Sequence, residues 1–227
     1  MDQAHLLPPI VELLLLVGSG VCWTAAYLFI IYRGYRDRTC GVPFAALCGN
    51  LGWEFLFSFV YPHPPVQLIF NWIWLALDLI IWLQYIRYAR PQSDLFGRLK
   101  PALSYSAIGL SLGAAFILVW AVTVEFDDLE GKYAAFGLNF LMSVLFLAML
   151  ANQGRRGQSV PIAALKWMGT TLASLLFFSL YPQSVLLGVL YVFIFVLDAV
   201  YFFAIYRLTN KTVRPRLPVT SSRTLRG

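Results

Sequence analysis

Seven apolar stretches follow one another along the 227-residue chain, at roughly 10–32, 42–60, 66–86, 104–124, 132–151, 160–180 and 185–206. Each is about 20 residues long, the length an α-helix needs to cross the hydrocarbon core of a bilayer. The links between them are short, so the sequence predicts an all-α membrane protein in which residues 1–207 form one seven-helix transmembrane bundle. With 59% hydrophobic and only 12% charged residues, an ordinary soluble domain is excluded. The net charge of +6 does not point to nucleic acid, because the basic residues fall in alternate links. Arg33, Arg36 and Arg38 follow span one, and Arg87, Arg90, Arg98 and Lys100 follow span three. Arg155, Arg156 and Lys166 surround the link from five to six, and Arg207, Lys211, Arg214 and Arg216 follow span seven. The opposite links hold the acidic run Glu125-Phe-Asp-Asp-Leu-Glu and almost no positive charge. This asymmetry places the N-terminus outside and the C-terminus in the cytosol. Residues 208–227, basic and containing Ser, Thr and Pro, read as a disordered cytosolic tail. Cys22, Cys40 and Cys48 show no disulfide spacing, and no cleavable signal peptide is expected.

A shift of 120 residues superimposes two regions of the chain. Tyr61-Pro62 meets Tyr181-Pro182, Leu77-Asp78 meets Leu197-Asp198, and Arg87 meets Arg207. Spans one to three then repeat as five to seven, with span four reversing direction between them. The result is a 3+1+3 parallel repeat whose halves run about 10–88 and 130–208.

Three carboxylates, Glu54, Asp78 and Asp198, lie within these apolar spans. An acid at mid-membrane costs about 2.5–3.5 kcal/mol even on the lenient insertion scale, so such residues are functional candidates by default. Helical spacing puts Asn50, Glu54, Phe57 and Tyr61 on one face of span two, with Trp53 beside them. Asn71, Trp74 and Asp78 share a face of span three, and Tyr191, Asp198 and Tyr201 a face of span seven. Each acid therefore faces the bundle interior among aromatic rings. With no Lys or Arg expected at the same depth, burial favours the neutral carboxylic acid. Rings around a proton donor stabilise a cation through their negative faces. The combination suits chemistry that begins with protonation and passes through carbocations. Asp78 and Asp198 are repeat mates, whereas Glu54 falls opposite Ser174 and stands alone.

Asn50-Leu-Gly-Trp-Glu-Phe, the Trp74-x-x-x-Asp78 pattern and Leu197-Asp198 resemble the integral-membrane terpene cyclases of fungal meroterpenoid and indole-diterpene pathways, and their bacterial relatives acting on farnesylated indoles. The resemblance spans essentially the whole chain. It implies cyclisation of a prenyl chain on a non-terpene head, begun by protonating a terminal epoxide or alkene without loss of diphosphate. It maps the family's essential acids onto Glu54 and Asp198, either able to be the donor, and Asp78 onto the acidic position of span three. Asn50, Trp53, Phe57, Tyr61, Asn71, Trp74, Tyr191 and Tyr201 are the corresponding substrate-binding candidates. The compact length looks more like the bacterial members, which places the protein in a bacterial cell membrane.

The residues agree that neither metal nor cofactor is needed. Asp127-Asp128-Leu129-Glu130-Gly131 lacks the last acid of a diphosphate-binding motif and reads as a solvated loop. His5 and His63 are the only histidines, and His63 sits in a Pro-rich corner where a turn role suffices. The expected partners are a hydrophobic prenylated small molecule and membrane lipid. The rival function is a small proton-coupled or sugar-type transporter with the same repeat, since paired acids could also carry protons. A retinal photoreceptor is excluded, because Asp198 stands in a stretch of span seven free of Lys and Arg.

Overall fold

The structure, a computed structural model, describes residues 6–90 and 97–213, with the side chains of 211–213 excepted. The seven apolar stretches are seven helices: α1 (Pro9–Asp37), α2 (Phe44–Phe55), α3 (Pro65–Gln84), α4 (Pro101–Glu125), α5 (Lys132–Gln153), α6 (Val160–Leu180) and α7 (Val185–Val213). Proline stands in the first turn of α1, α3, α4 and α6, where its missing N–H removes no intrahelical bond. Six helices are long and apolar enough to cross a bilayer by themselves. The exception is α2, which gains its last turn as a π-helical segment, Leu56–Val60. A second π-helical segment, Tyr85–Ala89, extends α3.

α1 packs on α3 and α6, α2 on α3, α4 and α5, and α7 on α5 and α6. Leu110 and Leu118 of α4 and Val192 and Phe193 of α7 remain exposed on the outside of the bundle. An apolar exterior of this kind is what hydrocarbon, rather than water, solvates.

The two ends of the bundle differ. At the Arg-rich end the chain is stitched shut: Gly157 N–H donates to Asp37 Oδ2 at 2.9 Å, Arg156 Nη2 to the Arg38 carbonyl at 3.0 Å, and Arg33 Nη2 to the Arg155 carbonyl at 3.1 Å. The largest core, including Ile30, Leu47, Ile81, Phe146, Ile162, Tyr201 and Ile205, lies in the same part of the bundle. At the acidic end the α2–α3 and α4–α5 links, the first turn of α1 and the end of α6 border an opening. α7 continues past 207 to Val213, so the first residues assigned to the tail are helical, while 214–227 lie outside the described residues.

Two expectations are corrected here. Lys166 does not belong to the basic link: it lies on α6 and is buried. The acidic run of the α4–α5 link is not simply solvated either. Asp128 is fully buried, accepts from Lys132 Nζ at 2.8 Å and caps α5 by accepting from the Tyr133 N–H at 2.7 Å.

Candidate active site

The opening at the acidic end leads into a cavity of about 600 Å³ walled by α1, α2, α3, α5 and α6. Helix direction orders its lining. Glu12, His63, Gln67, Glu130 and Lys132 stand near the mouth, and Tyr27, Asn50, Trp74 and Met142 lie deepest. Trp23, Trp53, Leu138 and Asn139 line the wall between, with Glu54 one turn above Asn50.

At the inner end, the hydroxyl of Tyr27 gathers three side chains. Asn50 Nδ2 donates to it at 3.1 Å, and it lies 3.2 Å from both Glu54 Oε1 and Asp78 Oδ2. A phenol has one hydrogen to give. It can satisfy one carboxylate, and the other contact is a hydrogen bond only when that acid carries a proton and donates. The set is complete with one proton shared between Glu54 and Asp78. Their second oxygens, Glu54 Oε2 and Asp78 Oδ1, meet no donor among the described residues. Glu54 reaches the cavity surface, whereas Asp78 lies behind it with no exposure.

Trp74, also on the wall, donates Nε1 to Thr24 Oγ1 at 3.1 Å, which turns its ring rather than its N–H to the cavity. Trp53 donates to the Gly131 carbonyl at 2.9 Å and so ties α2 to the α4–α5 link. His63 completes that tie: its Nε2–H donates to the Glu130 carbonyl at 3.1 Å, and its Nδ1 accepts from Asn71 Nδ2 at 2.9 Å. Burial lowers the His63 imidazole below its ordinary value, consistent with this neutral tautomer. The turn role foreseen for His63 is therefore incomplete, since the ring also lines the mouth.

Asp198 is elsewhere. Its Oδ1 accepts from Lys166 Nζ at 2.6 Å, and neither residue lines the cavity. The expectation that no cation shares the depth of the acids fails for Asp198. Helix α6 carries Lys166 to it from a position close enough to an Arg pair in sequence to look like a loop residue. Of the other candidates, Asn50, Trp53 and Trp74 reach the cavity, whereas Phe57, Tyr61, Asn71, Tyr191 and Tyr201 do not line it. Asn71 gives its two N–H groups to the Phe57 carbonyl and His63, and its oxygen accepts from Gln67 at 2.7 Å. Phe57 stacks on His63, and Tyr191 and Tyr201 meet Phe136 and Phe146 edge-on. Helical spacing identified the interior faces but not which interior rings border empty space. Tyr27, Trp23, Asn139 and Lys166 were missed; Tyr27 and Trp23, one turn apart on α1, are a polar-aromatic pair that the same spacing argument could have found.

Comparison with known proteins gives the assignment. The model of the Pyr4-like transmembrane terpene cyclases matches residues 5–211. The chain belongs to that family. Among curated relatives, the Pyr4-family terpene cyclase mfmH of Annulohypoxylon moriforme is 29% identical over 187 residues, covering 80% of this chain and 77% of the relative. Terpene cyclase pyr4 of Aspergillus fumigatus is 26% identical over 157 residues, 68% of this chain and 65% of the relative. Asnovolin H synthase nvfL of Aspergillus novofumigatus is 26% identical over 159 residues, 68% of this chain and 64% of the relative. No solved structure matches the chain. The protein is thus a multi-pass membrane enzyme of a terpene cyclase family, and the transporter reading is not favoured.

Proposed function

We propose that this cyclase protonates the terminal epoxide or alkene of a farnesylated substrate from Glu54 and guides the resulting carbocation without releasing diphosphate. The observation that carries the reading is Glu54 at the surface of an aromatic-walled cavity, hydrogen-bonded to a phenol that also holds a second buried carboxyl. Protonating an epoxide oxygen breaks its bond to the tertiary carbon and leaves a hydroxyl and a cation. Protonating an alkene forms a C–H bond and a cation. Trp23, Trp53 and Trp74 line the cavity, and aromatic rings there can stabilise that charge. Asp78 and the Tyr27 hydroxyl keep Glu54 supplied: the proton lost by the final cation returns to this set, so the cycle consumes none. The cavity volume suits a ligand of this size class.

The same reading keeps the N-terminus outside and the Arg-rich end in the cytosol, supported by the charge asymmetry of the links. The bacterial setting rests on compact length alone; the matched relatives are fungal. A duplicated 3+1+3 origin is supported by matched neighbours: α3 meets α1 and α2 as α7 meets α5 and α6, and α1 meets α6 as α5 meets α2.

The test is incubation of membranes containing the protein with a farnesylated indole, with and without a terminal epoxide, followed by product analysis. New rings are expected from the wild type and none from Glu54→Gln. Unchanged cyclisation by Glu54→Gln would remove Glu54 from the mechanism, and uptake of intact substrate into vesicles would replace the enzyme by a carrier.

A further inference from the structure

Lys166 Nζ has three hydrogens, and three acceptors surround it: Asp198 Oδ1 at 2.6 Å, Ser143 Oγ at 2.8 Å and Asn139 Oδ1 at 3.3 Å. An ammonium group only donates, so it fixes which end of the Asn139 amide is oxygen. The Ser143 hydroxyl spends its hydrogen on the Asn139 backbone carbonyl at 2.9 Å, which leaves its lone pairs for Lys166. On the other end of the amide, Asn139 Nδ2 donates to Thr170 Oγ1 at 3.2 Å. That uses one of its two N–H groups. Asn139 lines the cavity, and its second N–H meets no protein acceptor among the described residues.

Depth makes this N–H relevant. Asn139 lies seven residues into α5, and Glu54 six residues before the end of the π-helical segment at Val60. At about 1.5 Å per residue both stand roughly 10 Å in from the mouth-side helix ends.

We infer that Asn139 is a hydrogen-bond donor to an oxygen at the reacting end of the substrate, and that Asp198 serves this donor as counter-ion of Lys166 and not as a proton source. The inference rests on the cyclase reading above. During epoxide opening the proton comes from Glu54, the C–O bond breaks, and Asn139 stabilises the oxygen throughout; its own N–H is never transferred. Lys166 and Asp198 are positioning residues. If Asp198 instead gave up a proton to the substrate, it would have to reach a cavity that it does not line.

The experiment uses the full-length protein in detergent micelles and two non-reacting probes, a farnesylated indole ending in a tertiary alcohol and its oxygen-free saturated counterpart. Binding is followed by tryptophan fluorescence, since Trp23 and Trp53 line the site. In Asn139→Ala the alcohol probe should bind about tenfold more weakly, the effect of one lost hydrogen bond, with the oxygen-free probe unchanged. Equal loss for both probes, or no loss for either, overturns the assignment of Asn139. Asn139→Ser provides the same comparison if the alanine variant does not fold.

Turnover of the terminal alkene separates the two roles of Asp198. Asp198→Asn alone should unfold or inactivate the protein by stranding the ammonium group. The double variant Asp198→Asn with Lys166→Met should recover alkene turnover to within about tenfold of wild type, because both charges are then gone. A double variant that folds as well as wild type and stays inactive on the alkene would make Asp198 a proton donor after all. Failure of the wild type to cyclise either reactive substrate would instead strike the cyclase reading, and the probe comparison would still decide Asn139.

Discussion

Tyr27→Phe removes one oxygen and leaves the ring, so it opens almost no cavity and tests the hydroxyl alone. In the wild type that hydroxyl serves Glu54 Oε1, Asp78 Oδ2 and Asn50 Nδ2, all within 3.2 Å. Leaving a buried polar group unsatisfied costs about 1–3 kcal/mol. Three stranded groups set a nominal loss of roughly 3–9 kcal/mol by that scale. The true loss lies near the lower bound, because Asn50 can turn its amide to either carboxyl. At about 3 kcal/mol, a chain of this length should lose roughly 6–12 °C in thermal midpoint in micelles. Chemistry gives a second readout. With Glu54 still present, a first turnover should proceed, whereas later turnovers should slow by about tenfold or more because the phenol no longer passes a proton between the acids. Rapid-quench measurement of the first turnover against the steady rate separates the two. Asp78→Asn placed on the Tyr27→Phe background should cost less than it does in the wild type, since the partner it loses is already absent. A Tyr27→Phe protein with unchanged midpoint and steady rate, or with the two substitutions strictly additive, would show that the phenol is not the link between Glu54 and Asp78.

Two further outcomes concern the mouth. Burial holds the His63 imidazole below its ordinary value near 6.5, so the unfolded chain binds the extra proton more readily than the folded one. The stability that follows is fully present above about pH 6.5 and declines as pH falls below it, because protonated Nδ1 would then confront the Asn71 amide N–H. Thermal midpoints measured from pH 8 to 5 should show this decline, and His63→Phe should flatten it; an unchanged slope would exclude His63 as the group responsible. Gly131 has φ +63°, and a Cβ there would stand 2.4 Å from the Phe57 ring and 2.8 Å from Trp53 Nε1. Gly131→Ala should therefore destabilise by about 2–4 kcal/mol, from left-handed backbone strain together with overpacking, and should raise KM by displacing Trp53. A midpoint equal to wild type would mean that the α4–α5 link yields freely.

What the sequence disclosed follows from the range over which each signal acts. Span length, span number and the interior placement of the acids depend on local composition and on the 3.6-residue period, and both are written along the chain. Glu54 and Trp74 were accessible in that way. The partition of interior rings was not: Tyr191 and Trp74 have the same pattern, yet one meets Phe136 and the other borders the cavity. That difference arises from how far neighbouring helices stand apart, a property of pairs of helices. Lys166 shows a second limit. Its charge placed it with Arg155 and Arg156 when links were counted, yet two turns of α6 carry it to Asp198, 32 residues away in sequence. A lone lysine near a span end is ambiguous until its partner is known, because an ion pair removes the penalty that would otherwise keep it at the interface.

Asp78 and Asp198 bring these limits together. On the duplication proposed above they are copies of one residue, each on the third helix of its half, and sequence symmetry predicts equal roles. Their partners differ in kind. Asp78 meets a phenol and, through it, another acid, a set that needs an extra proton to complete its hydrogen bonds. Asp198 meets the Lys166 nitrogen, whose two other contacts are Ser143 and Asn139, so as an ion pair the set completes its hydrogen bonds with no added proton. On the proposed reading the first arrangement keeps a transferable proton next to the cavity, and the second orients an amide on the cavity wall. Residue type and depth are therefore insufficient to assign an intramembrane acid to catalysis. On the reading proposed here, the partners around each acid assign the proton-giving role to Glu54 with Asp78 and a positioning role to Asp198.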